Sequence, residues 1–353
     1  MGVILKFEKR EVSSWVSAIA PYASIPASFI LMALMLYMTG YDPIRGFSGF
    51  FQGAFLNPMG FATSLARSTA FLFMAVGIGL AINARVLNIG GEGQYIIGAI
   101  VATATALATQ DTMPGYLSLL LSLMTALIAG AIWAIIPGIL KAYMGVNEII
   151  TSVMMNILAF RLLQWLLRGP LKNPLSEAWP MSPPLKPMLI ELVPGSTLNV
   201  GFIIALIIAV FTYVLLYKTV EGYKVRATGS NPDAATYGGI DVKKVMVYVS
   251  MYSGALCGLA GAVDILGVFH FLYEGISIGL GYTSVVVALV GKANPLLIIP
   301  ASIMFGAIYN GFTHLQSAIG VSYTLSKGIE GLIYLVILLI TVFVEYRVKV
   351  IVK

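Results

Sequence analysis

Two long apolar runs, about 62–82 and 95–109, are joined through Asn88-Ile89-Gly90-Gly91-Glu92-Gly93-Gln94. That junction constrains the fold more than any other stretch of the chain. It sets one carboxylate, two amides and three glycines between segments apolar enough to lie in lipid. Backbone groups left unpaired in hydrocarbon are too costly to tolerate, so such a stretch must be packed inside protein or line a watery cavity. An ionisable group at membrane depth is a functional candidate by default, and this singles out Glu92. The competing reading is a tight turn at the membrane surface, with its glycines supplying positive φ and Glu92 in water.

Composition decides that lipid is the solvent. Hydrophobic residues make up 59% of the chain and charged residues 10%, with mean hydropathy +0.92. Soluble domains carry roughly 25% charged residues. The chain is therefore expected to be an all-α polytopic membrane protein. The single cysteine, Cys257, excludes an internal disulfide, and His270 and His314 show no metal-binding spacing, so no metal is expected. The net charge of +6 need not mean nucleic acid, because basic residues mark the cytoplasmic loops of membrane proteins.

In chain order, Lys6, Lys9 and Arg10 precede a first span of about 15–39, too long for the core of a secretory signal. An interfacial piece at 41–60 follows, then spans at about 62–82, 94–109, 117–140 and 149–167. Residues 169–198 contain seven prolines and read as an extended external loop. Further spans lie at about 200–217, 245–268, 280–291, 295–313 and 328–346. The segment 280–291 is too short to cross alone, which points to a half-buried helix or a re-entrant piece at 269–279. Ten spans with the N-terminus inside place 14 of the 21 basic residues on the inner side. The polar segment 218–244 is then cytoplasmic.

Other polar groups at depth are few. Asn156 can face a pathway or bond between helices. Asp264 follows a small-residue stretch in which Gly254 and Gly258 permit close helix contact, and it suits an interhelical bond or a ligand contact equally. Phe269, His270 and Glu274 set aromatic faces beside hydrogen-bonding groups, a lining suited to a nucleobase or sugar. Aromatics anchoring a helix end at the interface look the same. No phosphate-binding G-x-x-x-x-G-K-[ST] loop occurs. Gly291-Lys292 is followed by Ala293, with Val286 where the first glycine belongs, so this chain is not expected to hydrolyse ATP.

Three stretches together carry a resemblance: Asn88–Gln94; Gly145-Val146-Asn147-Glu148 with Asn156 beyond it; and Arg226 through Ile240. Over about 60–345 the chain resembles the permease subunits of bacterial ABC importers of the branched-chain amino acid, ribose and nucleoside branch, nearest to the nucleoside and simple-sugar permeases. The resemblance implies a single permease domain over 1–353 that forms the pathway for a nucleoside or simple sugar. Asn88, Glu92, Gln94 and Asn156, which lie in its motifs, are expected along that pathway, and Phe269, His270 and Glu274 join them on the side-chain chemistry given above. It also implies ATPase subunits that use ATP on separate chains, a second and different permease, and an external solute-binding protein. The setting would be the bacterial cytoplasmic membrane, with no cofactor bound by this chain. The cytoplasmic segment would supply a coupling helix through Asn231, Pro232, Ala234, Ala235, Tyr237, Gly238, Gly239 and Ile240. Asn231-Pro232 is a natural helix start and Gly238-Gly239 a stop, where the family more often has Ala-Gly. Taken without the resemblance, the same segment is an ordinary interhelical loop. The main rival is a proton-coupled secondary transporter using Glu92, Asp264 and Glu274; a membrane enzyme lacks the needed cluster of acids or histidines.

Overall fold

The computed structural model describes residues 3–9, 19, 22–176, 179–277 and 279–352, with side chains for all of these but 3–9, 342 and 345–352. The start of the expected first span, along with Arg10 and Lys353, lies outside the described residues. The elements in chain order are β1 (Val3–Lys9), α1 (Ile25–Met38), α2 (Pro43–Phe51), α3 (Pro58–Ile82), α4 (Gly91–Thr109), α5 (Gly115–Met144), α6 (Glu148–Arg168) and α7 (Gly201–Lys218). There follow α8 (Val220–Ser230), α9 (Pro232–Tyr237), α10 (Val242–Asp264), α11 (Leu280–Val290), α12 (Pro295–Ile319), α13 (Tyr323–Glu345) and β2 (Tyr346–Val352). A π turn at Ile265–Phe269 extends α10.

The architecture is helical, with one two-stranded antiparallel ribbon in which Val3 pairs with Val352 and Lys9 with Tyr346. Among the described residues, seven helices are long and apolar enough to cross a membrane: α3, α5, α6, α7, α10 with its π turn, α12 and residues 323–341 of α13. Three segments expected as spans differ from these seven. In α1, 14 residues are helical and in α11 only 11. In α4 there are 19, but its first turn contains Glu92 and Gln94, so the second half of the polar junction lies inside the helix while Asn88–Gly90 lead into it.

Two units divide the chain, residues 1–64 with 307–353, and residues 65–306. In the first, Phe50 is held edge-on between Phe29 and Phe312, with ring centroids 5.5 and 5.4 Å away. Asn310 donates to the Gly53 and Gly60 carbonyls and so supports the π turn Gln52–Leu56 that links α2 to α3.

The second unit is built on α4, α5 and α10, and α5 shows the packing rule. Its buried face is small, with Ser118, Ser122, Ala126, Gly130, Ala134 and Gly138 repeating every four residues. Its large side chains, such as Leu120, Met124, Ile128, Ile132 and Ile136, point outward. A helix in lipid gains little by burying leucine against protein and gains more by bringing backbones together. The extreme case is Gly258 of α10. A Cβ added there would meet the Ala126 carbonyl at 2.4 Å, and one added at Gly98 of α4 would meet the Gly258 carbonyl at 2.1 Å. The close contact expected of Gly254 and Gly258 is thus made with α5, and at Gly258 with α4 as well.

Candidate functional site

Glu92 stands in the first turn of α4 and is 7% exposed. Its carboxylate leaves its own helix and caps another. Oε1 accepts from the Ser277 hydroxyl at 2.6 Å and the Gly279 amide at 3.0 Å, and Oε2 accepts from the Gly281 amide at 2.7 Å. Those amides open α11, so the anion lies where free N–H groups and the helix dipole both favour it. The backbones are close as well, since a Cβ at Gly281 would stand 2.2 Å from the Glu92 nitrogen. Glu92 is therefore no wet turn residue. It fastens the half-length helix α11 to the start of α4.

The amides on either side lock the junction itself. Asn88 and Gln94 exchange hydrogen bonds at 2.8 and 3.1 Å, and Asn88 also donates to the Ser253 hydroxyl of α10 at 2.8 Å. Asn156 of α6 accepts from the Gly93 amide at 2.8 Å and donates to the Ile89 carbonyl and the Tyr282 hydroxyl. Four predicted residues, Asn88, Glu92, Gln94 and Asn156, thus belong to one buried network. Each polar atom in it would be costly left alone in this environment.

Beside the network lies a cleft of about 390 Å³ lined by Glu92, Ile96, Asn156, Ile157, Phe160, Arg161, Ser277 and Tyr282. Its α6 wall has helical spacing, with Asn156, Ile157, Phe160 and Arg161 on one face. Sequence reasoning did not single out Ser253, Ser277, Gly279, Gly281 or Tyr282. The signal available for the last four was the glycine-rich start of the short apolar segment 280–291.

Phe269, His270 and Glu274 are not among the cleft-lining residues. Their stretch is paired with the loop 169–198: the Leu185 amide donates to the His270 carbonyl at 2.9 Å, and the Ser182 amide to the Leu272 carbonyl at 2.8 Å. His270 has φ of +61° at the end of the π turn. The Phe269 ring lies under the Arg67 guanidinium, 5.2 Å from its centroid, and Glu274 pairs with Arg168 at 2.6 Å. Asp264, 3% exposed, accepts from the Tyr95 hydroxyl of α4 at 2.7 Å, an interhelical bond. The three carboxylates that the proton-coupled alternative required are each engaged in contacts within the chain, and nothing supports that alternative.

The segment 218–244 folds as α8, the single-turn helix α9 and the approach to α10. Asn231 caps α9, its side chain accepting from the Asp233 and Ala234 amides at 3.0 and 3.1 Å, with Pro232 at the first position. Gly238 ends the helix and Gly239 follows at φ +80°. Ala234 and Tyr237 are exposed, Tyr237 at 94%, whereas Ala235 is buried against its own chain, with Ile240 partly buried. At Asp241, which caps α10, the Lys244 amide and ammonium hold the carboxyl below the usual carboxylate range. Beneath the segment, Val225 packs with Leu80, Ala84, Val86 and Val249. Arg85 donates to the Ser230 carbonyl at 2.9 Å, and Lys141 donates to the Arg85 carbonyl and pairs with Glu148. The turn that carries these contacts runs directly into Asn88.

This arrangement defines a multi-pass membrane protein with a buried polar junction beside a cleft. The chain matches the family described as branched-chain amino acid transport system / permease component over residues 60–343, and it belongs to that family. It is a permease subunit and not an enzyme. A nucleoside ABC transporter permease of Lactococcus lactis is 30% identical over 83% of this chain and 83% of its own length. A glucose ABC transporter permease of Haloferax volcanii is 30% identical over 99% and 94%, and a guanosine ABC transporter permease of Bacillus subtilis is 29% identical over 91% and 92%.

Proposed function

We propose that this permease forms the import pathway for a nucleoside or simple sugar, and that the solute passes the cleft between α6 and the start of α11. The observation that carries the reading is the cleft itself. A buried carboxylate and amide network stands at its base, aromatic side chains line it, and its volume of about 390 Å³ suits a small polar solute. In this reading Asn88, Glu92, Gln94 and Asn156 hold the wall, while Phe269, His270 and Glu274 belong to the approach from the loop 169–198. The nucleoside and sugar permeases among its relatives support the solute class. Uptake of labelled nucleosides and sugars by the reconstituted complex tests it, and a complex that carries none of them overturns it.

The power source is a pair of ATPase subunits on separate chains, a second and different permease completes the pathway, and an external binding protein delivers the solute. The segment 218–244 is the ATPase-facing coupling loop. Its contact is the exposed Tyr237 face of α9, since Ala235 already packs inward and bulk there disturbs the permease rather than the interface. Replacing Tyr237 with Ala is expected to reduce ATPase co-purification and solute-stimulated hydrolysis at least severalfold, with normal membrane insertion. Retention of both would place the ATPase contact elsewhere, first of all around Gly145–Glu148.

The protein lies in the cytoplasmic membrane with its N-terminus inside and the loop 169–198 outside. A cysteine at Leu175, which is 93% exposed, should label from outside with an impermeant maleimide. One at the exposed Asp233 should label only after permeabilisation. The native Cys257 is buried and gives little background. Labelling of both from the same side would refute the orientation.

A further inference from the structure

We infer that Arg161 selects the solute by reading two adjacent hydrogen-bond acceptors, and that the solute class it fits is a 6-oxopurine nucleoside. The inference rests on the permease reading above and narrows it. Arg161 lies in the wall of the cleft on a span, seven residues before the end of α6 at Arg168. That puts it about 10 Å along the axis from the helix end. Its guanidinium stays charged at any physiological pH. Nη1 donates to Gln164 Oε1 at 2.9 Å, and among the described residues no carboxylate lies within ion-pair distance. Arg168, about two turns further along the same face of the helix, has Glu274 instead. A cation at this depth without a counter-charge marks a functional position.

The surrounding chemistry says what it holds. Phe160 adjoins it, and Tyr282 stands in the same cleft. The Tyr282 hydroxyl accepts from Asn156 Nδ2 at 3.1 Å, which leaves its own proton free to donate. Two aromatic side chains suit a flat ring. A planar fork of N–H donors matches the O6 and N7 acceptors on one edge of guanine or hypoxanthine. Adenine presents an amino donor where those bases present O6, so it meets the fork donor to donor.

The test is competitive uptake of labelled guanosine, inosine, adenosine and glucose by the intact complex in proteoliposomes. The native complex should prefer guanosine and inosine to adenosine. Arg161→Gln should lower the guanosine-to-adenosine ratio by at least about tenfold, the size of one lost bidentate contact. Arg161→Lys, which keeps the charge but not the fork, should lower it similarly while assembling normally. A native complex that carries only glucose overturns the nucleoside reading itself. A native complex that carries nucleosides, with the ratio unchanged in both variants, overturns the role of Arg161 alone. Loss of the second permease on co-purification of both variants would make Arg161 an interface residue and equally overturn it.

Discussion

Replacing Glu92 with Ala should abolish uptake while the protein still reaches the membrane. Three donors converge on that carboxylate, and the substitution leaves the Gly279 and Gly281 amides and the Ser277 hydroxyl without their acceptor. An unmade bond to a buried donor costs about 1–3 kcal/mol, and more where the acceptor is charged. The lost bonds all fall on one short element, α11, whose 11 residues are too few to fix themselves across a bilayer. The effect should therefore be local, displacing the wall of the cleft without preventing insertion. Uptake in proteoliposomes should fall to background, at least about a hundredfold, with unchanged protein in the membrane fraction. Glu92→Gln keeps one acceptor oxygen but turns an amide NH2 donor toward N–H groups, and partial activity is expected. Native uptake by the alanine variant would show that the α11 contact is dispensable.

The second large effect is at Gly258, where stability rather than transport should fail. The atoms that a new Cβ would meet are all backbone of α5, the Ala126 carbonyl at 2.4 Å and Gly130 Cα at 3.0 Å among them. No rotamer change relieves a clash with main chain, so α5 and α10 must separate. Overpacking in ordinary cores costs about 1–3 kcal/mol, and a contact with no side chain to yield belongs at or above the top of that range. Gly258→Ala should lower the midpoint of thermal unfolding in detergent by several degrees, and Gly258→Leu should leave little folded protein to recover. A leucine variant with a native melting curve would mean that the two helices are further apart than described.

Much of this was legible in the chain, for identifiable reasons. The seven long spans followed from apolar length, whereas the segments expected at 15–39 and 280–291 contain helices of only 14 and 11 residues. The burial of Asn88–Gln94 followed from the cost of polar groups in lipid. The small-residue contact at Gly254 and Gly258 was readable from spacing alone. The partner of Glu92 was not, because Gly281 is 189 residues away and the bond is to a backbone amide that any residue supplies. Ala235 read as a docking surface because small residues also suit an interface; which way a one-turn helix faces depends on tertiary packing. That Phe269, His270 and Glu274 lie beside the loop 169–198 and not in the cleft lining was not legible either, since an aromatic stretch paired with a neighbouring loop has the same composition as one that lines a cleft.

The glycine contacts of α4, α5 and α10 have a mechanical consequence. Side chains that interlock can re-interlock one turn along, but two backbones in direct contact have a single seat. The three helices are therefore the keel of the larger unit. Glu92 rides on that keel. The same kind of seat reaches its neighbours: a Cβ at Gly281 of α11 would stand 2.2 Å from the Glu92 nitrogen, and one at Gly93 would stand 2.9 Å from Asn156 Cα of α6. Both walls of the proposed cleft, the first turn of α11 and the Asn156 face of α6, thus stand at their base on the same keel.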